Sequence, residues 1–377
     1  MSDQTNHPRV LMLGWEDPNR IHGGLGVASS ALAEALQKYT DVSFFFPSSR
    51  PLSTIQPQRY QHPVPVRLNA YENKHALYGK SIRKAMALYD RTVLTEGLGW
   101  DPDLVHAHDW MTFQSAGQIS ALLGIPLVLH VHSLASDRSE HPVGLPYEME
   151  KMWLPKASLV IAVSQYTAQK IQQEYHVPAS RIAVLNHGVP PEVSFRSDAF
   201  TRKNLILFLG RMTWQKGPWH FIRMAESLLA DRNDLKFVMA GDGDIWPEAI
   251  RYVARSHIGT DVHLPGHLER KDVFKLLSMA NAMVVTSESE PLGLVALEAA
   301  HFGVPVILPP NCGAKEHLPQ TPVVDPADLD HLTDTVKMLL DDQTKAAAVV
   351  KMNQQAVQGQ NWDMVVRTLL RIYQEML

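Results

Sequence analysis

The chain has 377 residues, of which 45% are hydrophobic and 20% charged, and its formal net charge is −4 at pH 7. This length predicts two domains, because a single domain usually contains about 100 to 200 residues. The weakly negative charge argues against a nucleic-acid partner and against strong attraction to an anionic bilayer.

The sequence also suggests where the protein works. It contains no apolar run of about 18 residues, the length that a membrane-spanning helix needs. Residues 1–9 are polar and lead directly into an apolar stretch, unlike a secretion signal. The single cysteine, Cys312, cannot form an internal disulfide, which suits a reducing compartment. We therefore expect a cytoplasmic protein with at most peripheral membrane contact.

The first part of the chain alternates strand and helix signals. Apolar runs predict strands at 9–14 and 42–46, and helical spacing of Ala and Leu predicts a helix over 27–37. Gly23-Gly-Leu-Gly26 opens this helix, and such glycines let backbone amides approach a phosphate, although many similar turns carry glycine for packing alone. Residues 47–75, rich in proline, are predicted to form a loop region, and 78–94 a helix.

Two His-x-His pairs follow, each at the end of a predicted strand. They are His106 with His108, and His130 with His132. Residues two apart on a strand face the same way, so each pair could chelate a metal, and both together suggest a binuclear hydrolase. Against this alternative, the later strand ends offer Glu288 and Glu290 but no matching histidine.

The second half repeats the alternation after a probable linker. Ser164 is expected to cap a helix over 165–175, and Pro190 and Pro191 open a polar stretch that separates two domains. Strands at 205–209 and 236–240 and a helix over 271–279 then continue the pattern. Alternating strands and helices predict parallel sheets, hence an α/β fold of two doubly wound, Rossmann-like domains facing a cleft.

Two glutamates mark the last strand-loop-helix unit. Glu290 lies just before a predicted helix that starts near Gly293, and Glu298 lies inside it, about 7 to 8 Å further along the axis. One ligand could therefore contact both carboxylates and the loop amides. Arg211 and Lys216, five residues apart on an earlier loop, could reach one diphosphate beside a helix N-terminus. Strand carboxyl ends of both sheets should bring these loops to one cleft.

The motifs, taken in order, resemble those of a known family: the retaining GT-B glycosyltransferases of family 4, including the glycogen and starch synthase type. The motifs that carry the resemblance extend over nearly the whole chain: Trp15-Glu16, Gly23-Gly-Leu-Gly26, His106-Ala-His-Asp-Trp110, His132-Ser133, Val163-Ser164, Asn186-His-Gly-Val189, Gly210-Arg211, Lys216-Gly217, Gly241-Asp-Gly243, and Glu290 with Glu298. The resemblance implies domains at 1–190 and 191–360, with a last helix over 361–377 that crosses back onto the first domain.

The resemblance also implies a role for each site residue. Arg211 and Lys216 would neutralise the leaving nucleoside diphosphate, which Gly24 and Gly26 approach from the first domain. Glu290, with the amides of Gly293 and Leu294, would hold the donor sugar. Glu298 would bind the ribose hydroxyls, His132 would lie near the reacting carbon, and Asp109 would lie on the acceptor side. Two departures from the family pattern are the order Asn186-His187 and the sequence 134–137 after Ser133.

The expected reaction is retaining transfer of a hexosyl group, with glucosyl favoured, from a nucleoside-diphosphate sugar to a hydroxyl of a sugar, glucan or lipid-linked acceptor. Cations and amides can stabilise a departing diphosphate, so no metal ligand and no cofactor is expected. The sequence leaves two alternatives open: a nucleotide-sugar epimerase on the same fold and the binuclear metal hydrolase. It does not identify the base of the donor, the acceptor, or whether a polymer is made.

Overall fold

The computed structural model describes residues 8–21, 23–49, 56–66, 82–189 and 204–377. The predicted linker at Pro190 and Pro191 lies outside these residues, as does the first part of the helix predicted over 78–94. Within the described ranges, none of the helices combines the length and the apolar character needed to cross a bilayer.

The first part of the chain builds a seven-stranded parallel sheet in the order β3-β2-β1-β4-β5-β6-β7. Its elements are β1 (Val10–Leu13), α1 (Gly24–Leu36), β2 (Val42–Ser48), β3 (Gln61–Pro65), α2 (Ile82–Gly99), β4 (Leu104–His108), α3 (Trp110–Leu123), β5 (Leu127–Val131), α4 (Leu145–Trp153), β6 (Leu159–Ala162), α5 (Gln165–Tyr175) and β7 (Ile182–Val184).

The second part builds a five-stranded parallel sheet in the order β10-β9-β8-β11-β12. Its elements are β8 (Leu205–Leu209), α6 (Pro218–Asp231), β9 (Lys236–Ala240), α7 (Trp246–Arg255), β10 (Val262–Gly266), α8 (Arg270–Met279), β11 (Ala282–Val284), α9 (Leu294–His301), β12 (Val306–Ile307), α10 (Leu329–Asp341), α11 (Gln343–Val357) and α12 (Trp362–Met376). The doubly wound α/β architecture expected from the sequence is confirmed.

In each sheet the strand order reverses beside the first strand, between β1 and β4 in one and between β8 and β11 in the other. At such a switch point the neighbouring loops diverge and open a crevice at the carboxyl ends of the strands. The central strands β1 and β8 are apolar and buried along their whole length, as parallel strands covered on both faces require.

The prediction of a continuous loop over 47–75 was wrong at two places. The strand β2 extends to Ser48, and residues Gln61–Pro65 form β3 at the edge of the sheet. Proline obscured this strand, but an edge strand tolerates proline because one side of its backbone has no strand to bond. Residues 50–55 and 67–75 of that loop lie outside the described ranges.

The last helix, α12, packs against the first sheet although the chain reaches it after the second domain. Val366, Leu369, Leu370 and Tyr373 are buried in the same core cluster as Val10 of β1 and residues of α1. The side chain of Met364 on the same helix is 57% exposed. Helix α12 therefore adds to the core of the first domain on one face only.

We expect Leu369→Ala to destabilise the first domain by about 2 to 5 kcal/mol, because it leaves a cavity where Leu369 is fully buried. The matched variant Met364→Ala, on the exposed face of the same helix, should change the stability by less than about 0.5 kcal/mol. Thermal and denaturant unfolding of both variants provides the measurement. Equal effects of the two substitutions would show that α12 is not part of this core.

Candidate active site

The glycine-rich turn after β1 contains two glycines with different surroundings. A Cβ atom on Gly26 would come within 2.3 Å of the Glu16 carboxylate, whereas a Cβ atom on Gly24 would meet nothing within 4 Å. The same carboxylate of Glu16 accepts a hydrogen bond from the Gly23 amide at 3.3 Å. Gly26 is thus required by packing against Glu16, and Gly24, which is exposed, is the glycine open to a ligand.

The loop between β8 and α6, which carries Arg211 and Lys216, is fixed by close backbone contacts. A Cβ atom on Gly241 would lie 1.8 Å from the Gly210 carbonyl oxygen, and one on Gly217 would lie 2.0 Å from the Thr286 carbonyl oxygen. Gly217 also caps α6 with a φ of 59°, in the left-handed region. Only glycine fits at these two positions, so the loop is held between its neighbours.

Glu290 is buried and paired with Lys216. The Lys216 Nζ atom lies 2.5 Å from Glu290 Oε2, and the Ser287 hydroxyl donates to the same oxygen at 3.0 Å. The backbone of Glu290 is bonded on both sides to the segment after β12, through Asn311 and Gly313. Its carboxylate is therefore held in one orientation beside a cation, unlike a solvated surface glutamate.

Glu298 is also buried, and its partner is a residue that the sequence did not identify. The Arg270 guanidinium lies 2.5 Å from Glu298 Oε1, and Glu298 itself is 3% exposed. Burial raises the pKa of the Glu298 carboxyl, while the charge of Arg270 acts in the opposite direction. Helix α9 begins at Leu294 behind Gly293, whose φ is 84°, so the predicted helix start is confirmed.

On the first domain, Asp109 and His132 are joined by a hydrogen bond. The His132 backbone N–H donates to Asp109 Oδ1 at 2.7 Å, and Asp109 has a φ of 58° directly before α3. Burial raises the pKa of the Asp109 carboxyl to about 6. Asp109 thus fixes the end of β5 from which the His132 side chain projects.

Loops of the two domains touch directly beside the Glu290 loop. The Ser289 hydroxyl donates to Asp137 Oδ1 at 2.7 Å and lies 2.9 Å from the Tyr166 hydroxyl, while Ser164 donates to the Pro291 carbonyl at 2.5 Å. Ser164 also caps α5, as predicted, by accepting the Thr167 amide. The residues on either side of Glu290 are therefore held from the first domain.

A further link joins the N-terminus of α5 to the second domain. The backbone amides of Gln165 and Tyr166 each donate to the Glu316 carboxylate at 2.9 Å. A carboxylate is favoured there by the helix dipole. Sequence reasoning missed Glu316, Ser289 and Asp137, because only the packed domains bring them together.

The two His-x-His pairs come together, and a fifth histidine joins them. His106, His108, His130 and His132 are buried on neighbouring strand ends, and His187 after β7 packs on His132 with ring centroids 5.1 Å apart. The expectation that later strand ends supply no matching histidine was therefore wrong. His187 follows a short strand outside any His-x-His pattern, so spacing alone did not reveal it.

The site residues named from the sequence thus lie on strand-to-helix loops and at helix starts of the two domains. The second domain contributes Arg211, Lys216, Glu290, Gly293, Leu294 and Glu298, and the first contributes Gly24, Gly26, Asp109 and His132. Direct contacts between the domains are made by Ser289, Pro291 and Glu316. Two doubly wound domains with facing loops form the architecture known as GT-B.

Comparison with known proteins agrees with this architecture. Residues 22–193 match the family described as Glycosyltransferase Family 4, and residues 191–356 match Glycosyl transferases group 1. The chain is a glycosyltransferase of the GT4-like group with the GT-B fold. The family named from the sequence is confirmed, and it makes the enzyme a glycosyltransferase rather than the epimerase or the hydrolase that the sequence left open.

The relatives are distant in sequence and similar in length. An uncharacterised glycosyltransferase of Methanocaldococcus jannaschii is 25% identical over 398 residues, with 97% of each chain covered. The glycogen synthase of Mycobacterium tuberculosis is 25% identical over 391 residues, with 97% of this chain and 94% of the synthase covered.

Solved structures share the fold. The sucrose-phosphate synthase of Thermosynechococcus elongatus superposes with a TM-score of 0.81 at 19% identity, covering 98% of this chain and 99% of the synthase. HepE of Anabaena, solved in complex with UDP and glucose, superposes with a TM-score of 0.75 at 18% identity, covering 98% of this chain and all 100% of HepE.

The backbone of the segment after His132 is bonded to the buried carboxyl group of Glu150. The Ala135 amide donates to Glu150 of α4 at 3.0 Å, and the Tyr175 hydroxyl donates to the same carboxylate. Burial raises the pKa of Glu150 to about 7, above its ordinary value of 4.5. The folded protein therefore holds a proton between these two pH values that the unfolded chain releases.

The proton bound to Glu150 makes the stability of the fold depend on pH. The stabilisation that it gives is fully present below pH 4.5 and is lost as the pH rises through 7. Glu150→Gln keeps the size of the side chain without the titrating proton. We expect it to gain stability relative to the wild type between pH 5 and 8, by on the order of 1 to 3 kcal/mol. Denaturant unfolding across this range tests the effect. Glu148→Gln, on the exposed face of α4, is the control, and a pH-independent difference for Glu150→Gln would contradict the assignment.

Proposed function

We propose that the protein transfers a hexosyl group, with glucosyl as the first candidate, from a nucleoside-diphosphate sugar to a hydroxyl acceptor with retention of configuration and without a metal ion. The observation that carries this proposal is the ion pair between half-buried Lys216 and buried Glu290, 2.5 Å apart, directly before the N-terminus of α9. In this pair a cation lies beside a carboxylate, so one donor molecule could place its phosphate against Lys216 and its sugar against Glu290.

The phosphate side of the donor is proposed to lie against Lys216, Arg211 and the exposed backbone at Gly24. When the bond between the sugar C1 and the diphosphate oxygen breaks, that oxygen gains negative charge. Preorganised cations and amides stabilise such a charge without the cost of reorganising solvent. This supports a reaction in which no divalent ion is needed. The loop contacts at Gly217 and Gly241 keep these groups in position before the donor arrives.

The sugar side of the donor is proposed to lie between Glu290, the amides of Gly293 and Leu294, and His132. Positive charge develops on the sugar ring as the bond to the diphosphate breaks, and the Glu290 carboxylate can stabilise it. The acceptor hydroxyl would then attack C1 on the same face, and its proton would pass to the leaving phosphate oxygen. The bond to the acceptor forms as the bond to the diphosphate breaks, and because both lie on the same face of the sugar the configuration at C1 is retained.

The ribose of the donor is proposed to bind Glu298. One oxygen of this carboxylate contacts Arg270, which neutralises its charge within a buried site. Asp109 is proposed to act at the acceptor side through the position of His132, whose backbone it binds. The proposal for glucosyl draws on similarity to a glycogen synthase and to HepE, which was solved with UDP and glucose.

The first prediction from this proposal concerns donor binding. In the presence of EDTA, at least one of UDP, ADP and GDP should bind to the wild type. Arg211→Ala and Lys216→Ala should each weaken this binding by about 1.5 to 3 kcal/mol, because each removes a charge-assisted contact to phosphate. Isothermal titration calorimetry measures the affinities. Lys236→Ala, which removes a cation at the amino end of β9, serves as the control. Unchanged affinity in both site variants would refute the diphosphate assignment.

The second prediction separates the two glutamates. Glu290→Gln should lower kcat by a factor on the order of 10² to 10³, because it removes charge from the group that faces the reacting sugar. Glu298→Gln should mainly raise KM for the donor, because ribose contacts are shared by the ground state and the transition state. Steady-state kinetics with the best donor measures both effects.

The control for this pair is Glu288→Gln, since Glu288 lies on the same loop but contacts His220 at 2.8 Å and its side chain is 41% exposed. Thermal melts establish that each variant is folded. Wild-type kcat and KM in folded Glu290→Gln and Glu298→Gln would mean that the reaction takes place elsewhere.

A further inference from the structure

The buried histidine cluster of His106, His108, His130, His132 and His187 has more imidazoles than the proposed transfer reaction uses. Its rings stack in a continuous group, with centroids 4.4 Å apart for His130 and His132 and 5.1 Å apart for His132 and His187. All five rings are buried, and imidazole is a common ligand of transition-metal ions.

Three of these histidines bring ring nitrogens close together. One ring nitrogen from each of His130, His132 and His187 lies within 4.8 Å of the other two. Among the residues that the structure describes, His130 Nε2, His132 Nδ1 and both ring nitrogens of His187 have no hydrogen-bond partner. A buried polar atom without a hydrogen-bond partner destabilises the fold by about 1 to 3 kcal/mol. These ring nitrogens therefore favour a bound ion that can accept lone pairs from several of them at once.

The other two histidines orient the first three. His130 Nδ1 is hydrogen-bonded to His106 Nε2 at 3.2 Å, and His132 Nε2 is hydrogen-bonded to His108 Nδ1 at 2.8 Å. His106 in turn bonds the Tyr373 hydroxyl of α12 at 2.5 Å. A metal-binding histidine usually donates its second ring N–H to such a partner, which fixes the tautomer and the ring orientation.

The residue before His187 holds the backbone so that the His187 ring joins the cluster. The preceding residue, Asn186, binds the Val163 carbonyl at 3.0 Å, and the His187 ring lies between His132 and Trp362, with a centroid distance of 5.7 Å to the latter. The exchanged order Asn186-His187, noted as a departure from the family pattern, therefore puts an imidazole in the cluster while the amide binds the backbone.

We propose that His130, His132 and His187 form a binding site for a divalent transition-metal ion, oriented by His106 and His108. Three neutral imidazoles suit Zn²⁺, and also Cu²⁺ or Ni²⁺, whereas Mg²⁺ and Ca²⁺ require oxygen ligands. Three protein ligands leave the fourth position of a tetrahedral ion for water or another small ligand. The site differs from the expectation that the protein has no metal ligands. His132 is shared with the proposed sugar site, where its ring borders the donor, and no step of the proposed transfer is assigned to the ion.

The test uses the full chain without a histidine tag, freed of metal with EDTA and desalted. Zn²⁺ is titrated in competition with a chromophoric chelator, without donor or acceptor, so the outcome is independent of the proposed transfer. We expect one Zn²⁺ per chain, unaffected by an excess of Mg²⁺. His187→Asn, which loses no hydrogen bond seen among the described residues, should weaken this binding at least about tenfold. His263→Asn, which removes an exposed histidine of β10, should bind Zn²⁺ as the wild type does.

Two further measurements test the site if His187→Asn does not fold. His132→Asn changes the least buried of the three ligands and should weaken Zn²⁺ binding likewise. Co²⁺ bound to the wild type should give the intense ligand-field bands of tetrahedral coordination, and these should be absent from the variant. The proposal is overturned if the wild type binds no Zn²⁺, if the folded ligand variants bind it as tightly as the wild type, or if Mg²⁺ competes equally.

Discussion

Parallel strand pairing is the constraint from which the arrangement of this protein follows. Strands that pair in parallel must each be followed by a crossover, so every loop that leaves a strand end lies at the same edge of its sheet. Both sheets here are parallel throughout their described strands. The residues proposed to bind the donor and the acceptor therefore come from strand-to-helix connections or from the first two turns of the following helices. Residues far apart in the chain, such as Gly24 and Glu290, both follow the carboxyl end of a parallel strand, because parallel pairing puts all these ends at one edge of each sheet.

The charges on these loops are compensated in pairs within the protein. Lys216 neutralises Glu290, Arg270 neutralises Glu298, and Lys170 lies 2.5 Å from Asp137. A buried charge that loses its partner is strongly destabilising, so each pair limits the orientations that its members can adopt. The same pairing holds the Glu290 and Glu298 carboxylates in place. Since Asp137 also accepts the Ser289 hydroxyl, one of these pairs connects the two domains beside the Glu290 loop.

Helix α12 links the last part of the chain to the histidine cluster as well as to the core of the first domain. Tyr373 bonds His106, and Trp362 packs on His187, while Val366 and Leu369 lie in the apolar core. A Cβ atom on Gly188 would come within 2.6 Å of the Trp362 backbone nitrogen, so the chain after β7 and the start of α12 approach as closely as a glycine allows. The position of His187 and the position of α12 thus depend on each other.

The sequence by itself determined those features that depend on nearby residues. Apolar runs predicted the strands, Gly293 predicted the start of α9, Ser164 predicted a helix cap, and the motifs identified the family. Backbone preferences and hydrogen bonds within a few residues decide such features, so they can be read locally. The roles of Arg211, Lys216, Glu290 and Glu298 came from motif resemblance, and they remain predictions.

Only the tertiary structure decided which distant residues meet. Arg270 reaches Glu298, Ser289 reaches Asp137, and His187 joins four histidines from other strands, although no spacing in the sequence connects these partners. The edge strand β3 forms despite its prolines because β2 offers a free edge. Glycine is needed at position 26 because the Glu16 side chain packs directly against it. These contacts depend on how sheets, helices and domains pack in space, and residue spacing along the chain carries no record of that packing.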